Sequence, residues 1–237
     1  RVIFLITLSY CIGPEKEWNE MVEFFKGFYL SGCTLGTLNI LLIGPFRVGK
    51  TLYASGVTSV LAEVFNEGLI VCNFDHNCTQ SPDDIHLPVF NRVSFVDFPG
   101  YEGKDLDLYI RMAHKIMDGY RFPREKNHTT VLECMKTAQN DDSCFLPKES
   151  HLKINAILYF VDFTAPDEFP IMLYKKITKN EFNLPTKVIV SKMQLTFKEG
   201  QFESYANFRQ NEKITKGINF LYEKFDRAIN EKEMYPI

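Results

Sequence analysis

The sequence predicts an α/β fold with three layers, in which helices cover both faces of a mostly parallel β-sheet. Short, continuous apolar runs alternate with longer segments of helical periodicity, as expected when each strand is buried on both faces. Apolar residues make up 45% of the 237 residues and charged residues 24%, which is ordinary for a folded protein and argues against disorder. The net charge of −3 gives no broad attraction to nucleic acid, so no nucleic-acid partner is expected.

The individual elements follow from the same alternation. The predicted central strands are the apolar runs at 38–44, 92–98, 154–163 and 187–192. The predicted helices lie at 50–65, 104–118, from about Pro166 onward, and at 211–230 near the C-terminus. The polar segment 120–152 is predicted to be irregular, with a short helix near 130–138. A last strand is expected at 204–208, with Asn207 as a base contact, but too few residues follow Ser191 for a crossover helix before it.

The first residues are predicted to form a separate extension, at 1–30, ahead of a main domain at 31–237. "RVIFLITLSYCIG" is too short to span a bilayer and lacks a small-x-small cleavage site, so a buried strand is expected there. A helix is expected over 15–28, and no transmembrane segment is predicted. The missing initiator Met predicts that the chain is a fragment of a longer protein.

Cysteine usage predicts a reducing compartment. No CxxC pair occurs, and a chain of this size does not need a disulfide scaffold, so all cysteines are predicted to be reduced thiols of a cytoplasmic protein. Cys72, His76 and Cys78 lie close in sequence but fit no zinc-ligand spacing, so no zinc site is predicted. The cysteines are Cys11, Cys33, Cys72, Cys78, Cys134 and Cys144.

The stretch "GPFRVGKT", residues 44–51, has the spacing G-x-x-x-x-G-K-T directly after an apolar strand and before an amphipathic helix. Gly44 permits a tight turn, and Gly49 lets the backbone approach phosphates. The N–H groups of 47–51 and the helix dipole favour anions. Lys50 would reach the terminal phosphates, and the Thr51 hydroxyl would bind Mg²⁺. The predicted nucleotide-binding residues are Gly44, Arg47, Val48, Gly49, Lys50, Thr51, Leu52, Gly100 and Lys192.

A second motif, "DFPG" at 97–100, ends the next strong strand. P-loop NTPases hold Mg²⁺ with the loop Ser/Thr and an Asp from a neighbouring strand, so Thr51 and Asp97 are the predicted metal ligands. The Gly100 amide would contact a γ-phosphate and act as a hinge. Together the two motifs predict a P-loop NTPase fold.

Base recognition is less well encoded. GTPases place N/T-K-x-D after a later strand, and the matching residues here are Ser191-Lys192-Met193-Gln194. Lys192 could stack under a purine. The carboxylate that would read guanine is absent, because Gln194 stands in its place.

The chain resembles the interferon-induced protein 44 family of P-loop GTPase-like proteins. The resemblance covers roughly 15–194 and the terminal helix. It rests on "LNILLIGPFRVGKT" with Trp18-Asn19 upstream, "DFPG", "IMDGYRFP", "HLKINAILYFVDFTAP" and "KVIVSK". It implies GTP or GDP as ligand with Mg²⁺, a cytoplasmic location and a role in interferon and antiviral responses. Apart from the resemblance, a homodimer is one expected form of assembly. Family members often carry an N-terminal TLDc domain, which this sequence lacks.

Turnover is predicted to be slow or absent. Tyr101 stands where a water-orienting Gln would follow Gly100, and nothing establishes the reach of Glu102. Phe46 would lean into the space that water and a stabilising arginine must enter. Arg47 could supply a charge in cis, but it is expected to point into solvent. Thr79 is the candidate ligand in the first switch segment.

Three functions therefore stand beside one another. The first is a slow GTP-binding switch that changes its segments 74–91 and 99–104. The second is an ATP-dependent phosphotransferase of the kinase type, although 120–152 contains only Arg121 and Arg124 where kinases carry arginine-rich lids. The third is a non-catalytic interaction module with a vestigial nucleotide site. The sequence names no protein partner.

Overall fold

The computed structural model describes residues 37–62, 82–87, 90–103, 105–164, 168–178, 184–192, 212–224 and 234–236. Several sequence predictions lie outside these residues. They are the N-terminal extension at 1–30, the Cys72–Cys78 region, Thr79, and the strand at 204–208 with Asn207.

The described strands are β1 (Leu38–Ile43), β2 (Asp83–Leu87), β3 (Phe90–Asp97), β4 (Ile154–Asp162), β5 (Thr186–Ser191) and β6 (Met234–Pro236). The described helices are α1 (Lys50–Ala62), α2 (Leu106–Met117), α3 (His128–Thr137), α4 (Glu168–Thr178) and α5 (Glu212–Lys224), with short 3₁₀ turns at Asp141–Cys144 and Ser150–Leu152. They form a six-stranded sheet in the order β2-β3-β1-β4-β5-β6. Only β2 runs antiparallel to its neighbour, so the predicted mostly parallel sheet is confirmed.

Helices cover both faces of this sheet. On one face, Tyr53 of α1 packs against Phe95 and Phe160, with ring centroids 5.9 and 5.4 Å apart. On the other face, α2 and α4 pack over Leu41 and its neighbours in one buried cluster. The predicted three-layer P-loop NTPase fold is confirmed.

The strand register brings the carboxyl ends of the central strands to one edge. Leu42 of β1 pairs with Asp97 of β3, and Ile43 pairs with Tyr159 of β4. The strand order reverses at β1, which is where ligands bind in open α/β sheets. The sheet thus places the loop after β1 between the ends of β3 and β4.

Two strands were missed from the sequence. β2 reads "DDIHL", which is too polar to be recognised as a strand, because among the described strands it pairs with β3 alone and exposes Asp84 and His86. β6 pairs with β5 and comes after α5 in the chain. The predicted C-terminal helix at 211–230 is confirmed as α5, which lies between these two parallel strands in the chain. The gap between Ser191 and 204, which was predicted to be too short for a crossover helix, lies outside the described residues.

The predicted irregular segment 120–152 contains the expected short helix, α3, and is tied down at several points. Arg121 is buried and binds Asp84 of β2 through Nε and Nη2, both at 3.0 Å. Cys134 and Cys144 form a disulfide, with Cα atoms 5.8 Å apart. The prediction that all cysteines are free thiols is wrong for this pair. The 3₁₀ turn at Asp141–Cys144 folds back onto α3 and brings the two cysteines together. The spacing of the cysteines in the sequence does not reveal this proximity.

Among the helices that the structure describes, none combines the length and the apolar character needed to cross a bilayer.

Candidate functional site

The loop between β1 and α1 depends on two glycines. Gly44 has φ +155°, and a Cβ there would lie 2.5 Å from the carbonyl oxygen of Phe160. Gly49 has φ +91° with open space around it, so its backbone conformation alone requires glycine. Arg47 has φ 60°, an uncommon conformation for a residue with a side chain. The loop is thus shaped by main-chain geometry.

α1 begins at Lys50, immediately after this loop. The N–H of Tyr53 donates to the carbonyl of Gly49 at 2.9 Å, which starts the helical hydrogen-bond series. Amides at the start of a helix lack acceptors within the helix, and the helix dipole adds partial positive charge there. The backbone amides and dipole at the start of α1 therefore favour an anion beside the loop, which is the physical basis of the predicted phosphate site.

Lys50 is the cation of this site. Its side chain is only 6% exposed, and its Nζ donates to the carbonyl of Pro45 at 3.2 Å. Burial lowers the pKa of Lys50 to about 8, and the nearby Asp97 carboxylate offsets only part of this effect. A bound phosphate would supply the negative charge that such a buried ammonium needs.

Thr51 and Asp97 meet as the metal-site prediction requires. The Thr51 hydroxyl donates to Asp97 Oδ2 at 2.5 Å, and Asp97 is 1% exposed. The contact follows from the pairing of Asp97 with Leu42, which sets the carboxylate beside the first turn of α1. Hydroxyl and carboxylate oxygens are ligands that suit Mg²⁺, so these residues fit that ion.

The residues after Asp97 run along the phosphate loop. The N–H of Tyr101 donates to the carbonyl of Gly44 at 3.3 Å, and the N–H of Phe46 donates to the carbonyl of Tyr101 at 3.1 Å. A Cβ on Gly100 would lie 2.6 Å from Phe46 Cα and 3.1 Å from Lys50 Nζ. Gly100 thus stands against the loop, beside the lysine ammonium.

The remaining loop side chains point in different directions. Val48 is buried, whereas Leu52 is 58% exposed. The Arg47 guanidinium lies over the Phe46 ring, 5.2 Å from its centroid, and Arg47 is exposed. A cation over an aromatic face is an attractive arrangement, so Phe46 holds Arg47 at the outside of the loop.

Lys192 lies apart from this group, after β5 and two strands away from β1 in the sheet. It has φ 62°, and its Nζ contacts Asp162 Oδ2 at 2.5 Å. Asp162 Oδ1 accepts from the N–H and hydroxyl of Thr164 at 2.8 and 2.6 Å. Burial raises the pKa of Asp162, but these hydrogen bonds outweigh it and leave the pKa below its usual value.

The structure therefore brings most predicted residues together and leaves one apart. Gly44, Gly49, Lys50, Thr51 and the 97–100 segment form one cluster. The sequence prediction missed Asp162 as the partner of Lys192, although its place at the end of a strongly apolar strand was the available signal. It also missed the packing of Tyr101, which depends on α2.

Among the comparisons with known proteins, the search of solved structures found similar proteins, and the other two comparisons did not. A scan against protein-family models and a search of curated proteins gave no match. One similar structure is a variant of Era from Aquifex aeolicus bound to GDP and AlF4−, with 16% identity, a TM-score of 0.45 and coverage of 86% of this chain. Another is Era in complex with MgGDPNP and a segment of 16S ribosomal RNA, with 15% identity, a TM-score of 0.43 and the same coverage. The chain spans 51% of the length of each.

Proposed function

We propose that this protein binds a purine nucleotide, GDP or GTP, together with Mg²⁺, and hydrolyses the triphosphate slowly or not at all. The observation that carries the proposal is the cluster of Lys50, Thr51 and Asp97 at the start of α1. A buried lysine, a hydroxyl and a buried carboxylate meet there beside a glycine-shaped loop.

Each residue has a role in binding. The backbone amides of 47–51 and the dipole of α1 would hold the phosphates, and Lys50 would neutralise their charge. Thr51 and Asp97 would hold Mg²⁺, which shields the charge between phosphates. The cost of burying the Lys50 ammonium is recovered when an anion binds, which favours the bound state.

Slow turnover is proposed from Tyr101. Fast hydrolysis needs a side chain that orients water at the γ-phosphate. Tyr101 is 7% exposed and packs against Tyr109 of α2, so its side chain is directed into the core. Glu102 is exposed and follows it. Single-turnover measurements should give rates on the order of 10⁻³ s⁻¹ or lower, and rates of several per second without an added activator would contradict slow turnover.

Preference for guanine is the weaker part of the proposal. Lys192 is positioned by Asp162 at the end of β5, where its stem could lie under a purine ring. The resemblance to the interferon-induced protein 44 family supports guanine, and it also supports a cytoplasmic antiviral role. The disulfide between Cys134 and Cys144 does not support the cytoplasmic location, because structural disulfides belong to oxidising compartments.

Calorimetric titration with GDP, GTP, ADP and ATP, each with Mg²⁺, tests the proposal. We expect GDP or GTP to bind, and Lys50→Ala to weaken that binding at least about 100-fold, because buried phosphates lose their cation. Lys176→Ala is the matched control, since Lys176 forms an exposed ion pair with Asp107 and lies outside the site. Absence of binding would favour a non-catalytic interaction module, and a preference for ATP would favour a phosphotransferase. Either result overturns the proposal.

A further inference from the structure

The segment after Asp97 is bonded into the phosphate loop like an extra step of the β1–β3 ladder. Phe98 N–H donates to Leu42 O at 3.1 Å, and Tyr101 N–H donates to Gly44 O at 3.3 Å. Phe46 N–H then donates to Tyr101 O at 3.1 Å. Pro45 and Tyr101 form a parallel bridge as a result, which is called here the Tyr101 bridge.

Aromatic packing holds the same segment from the other side. The Tyr101 and Tyr109 rings meet edge to face at 5.0 Å, and the Phe98 and Tyr109 rings meet in the same way at 5.4 Å. The Tyr109 hydroxyl donates to the carbonyl of Pro99 at 2.8 Å, and burial raises the pKa of Tyr109 well above its usual value. The hydroxyl therefore stays protonated as a donor. Residues 98–101 are fixed between the loop and α2.

This fixed position places Gly100 beside the phosphate-binding lysine. An added Cβ would lie 2.6 Å from Phe46 Cα and 3.1 Å from Lys50 Nζ, so the backbone of Gly100 packs against them with no room for a side chain. In a P-loop site the lysine bridges the β- and γ-phosphates. The side of Lys50 nearest α1 would then serve the inner phosphates, and the side nearest Phe46 and Gly100 would receive the γ-phosphate.

The backbone N–H donors are divided in the same way between the inner and the outer side of Lys50. The Phe46 amide is directed to Tyr101 and so does not serve the outer phosphate. The amides at the start of α1 lie on the inner side, away from this contact. A diphosphate can therefore bind without moving residues 98–101. A triphosphate bound by Lys50 on this side would have to displace Gly100, which would break the Tyr101 bridge and disturb the buried rings of Tyr101 and Tyr109.

We propose that the Tyr101 bridge makes this site selective for the nucleoside diphosphate over the triphosphate. Tyr101 is then a specificity-determining residue, since its buried ring anchors the segment that closes the γ-phosphate position. The inference rests on the proposed nucleotide binding and adds which phosphate state is bound. It also changes the expected response to a triphosphate, because residues 98–101 would move only after the packing of Tyr101 against Tyr109 is broken.

The test measures the affinities of GDP and of the non-hydrolysable triphosphate GDPNP, each with Mg²⁺, for the full chain and its variants. The unaltered protein should bind GDP at least about tenfold more tightly than GDPNP. Tyr101→Ala should tighten GDPNP by about tenfold and leave GDP unchanged, because the anchor is lost but the inner phosphate contacts remain. Tyr109→Phe removes only the bond to Pro99 and should shift the ratio in the same direction by a smaller factor.

Tyr174→Ala is the control for a general loss of aromatic packing. Tyr174 packs edge to face on Tyr159 at 5.2 Å, on α4, and its removal should lower stability without changing the GDP to GDPNP ratio. Thermal unfolding identifies any variant that does not fold, and Tyr109→Phe keeps the test decisive if Tyr101→Ala is one of them. Equal or tighter binding of GDPNP by the unaltered protein, or an unchanged ratio in both variants, would overturn the inference while leaving nucleotide binding intact. Failure to bind either nucleotide would overturn both proposals.

Discussion

The two ends of the candidate site are built in different ways. The phosphate end is formed by main chain, with two glycines, the start of α1 and the Tyr101 bridge, and its side chains Lys50, Thr51 and Asp97 are buried or half-buried. The base end is a side-chain pair, Lys192 with Asp162, at the ends of β5 and β4. For the proposed nucleotide, the first end would therefore define a position for phosphate, whereas the second would offer a side-chain pair with little chemical selectivity.

The lysines at the two ends also differ in burial and in the charge that balances them. Lys50 is almost fully buried, and its pKa is lowered because Asp97 compensates only partly for desolvation. Lys192 keeps part of its side chain in solvent and has its own carboxylate partner. An anion therefore gains more from Lys50 than from Lys192. Five predictions test this contrast and the fold around it, from the largest expected effect to the smallest.

Gly44→Ala should be the most damaging change, because the new Cβ would meet the Phe160 backbone at 2.5 Å. We expect the free energy of unfolding to fall by about 3 kcal/mol or more, measured by urea denaturation. Gly103→Ala is the matched control, since Gly103 also has positive φ but has open space around it, and should cost about 1 kcal/mol. Equal losses in the two variants would show that the close approach of Gly44 to the Phe160 backbone in β4 does not explain the need for glycine at this position.

Cys134→Ser tests a feature remote from both ends. The disulfide closes a loop of 10 residues, so its loss should lower the free energy of unfolding by about 2.5 kcal/mol. The affinity for GDP should stay unchanged, because the pair ties α3 to the 3₁₀ turn and does not reach the phosphate loop. Adding a reductant to the unaltered protein should reproduce the variant's stability. Six free thiols in the unreduced protein would contradict the disulfide.

The affinity for GDP should fall as pH rises from 7 to 9. The pKa of Lys50 is about 8 in the free protein, and bound phosphates raise it, so binding above that pH requires uptake of a proton. One pH unit above the pKa about a tenth of the lysine is charged, which predicts about a tenfold loss between pH 7 and pH 9. Titration calorimetry in buffers of different ionisation heat would detect the proton. Lys192→Met should leave the pH dependence unchanged.

The same lowered pKa affects stability in the free protein. The folded chain binds fewer protons than the unfolded chain between pH 8 and the ordinary lysine value of 10.5. The Lys50 contribution to the free energy of unfolding should therefore rise with pH across that window, and this contribution should disappear in Lys50→Met. The same pH dependence in both proteins, or a stability of the unaltered protein that falls relative to Lys50→Met as pH rises, would contradict the lowered pKa of Lys50.

Lys192→Met and Asp162→Asn should have the smallest effects on binding. The pair is partly exposed, and such ion pairs contribute about 0–1 kcal/mol, which corresponds to at most about a fivefold change in affinity. GDP and ADP should be affected equally, because the pair does not read the edge of the base. A loss of GDP binding of about 100-fold with ADP unaffected would show that the base end is selective after all.

Local signals in the sequence were sufficient for most of the fold and for the phosphate end of the site. Strands β1, β3, β4 and β5 are continuous apolar runs, because both their faces are buried. Gly44, Gly49, Lys50 and Thr51 lie within eight consecutive residues, so their spacing alone predicts the shared loop. Asp97 was predicted because it ends an apolar strand. Its contact with Thr51 then follows from the parallel pairing of β1 and β3.

The missed features share a different cause. β2 is a polar edge strand, β6 has only three residues, and the Cys134–Cys144 pair joins positions that no spacing rule connects. Each of them depends on which surface lies beside it, and that is set by the assembled sheet and helices. The pairing of Lys192 with Asp162 is of the same kind, because it needs β4 and β5 in register.

By itself, the sequence determined an α/β protein with a phosphate loop and a neighbouring carboxylate, because periodicity and motif spacing are local properties of the chain. Only the tertiary structure decided that the segment after Asp97 closes on the loop. That contact joins residues more than 50 positions apart and requires α2 to bury the rings of Tyr101 and Tyr109. Phe46 takes part in this contact through its backbone N–H, and its side chain packs under Arg47 at the surface.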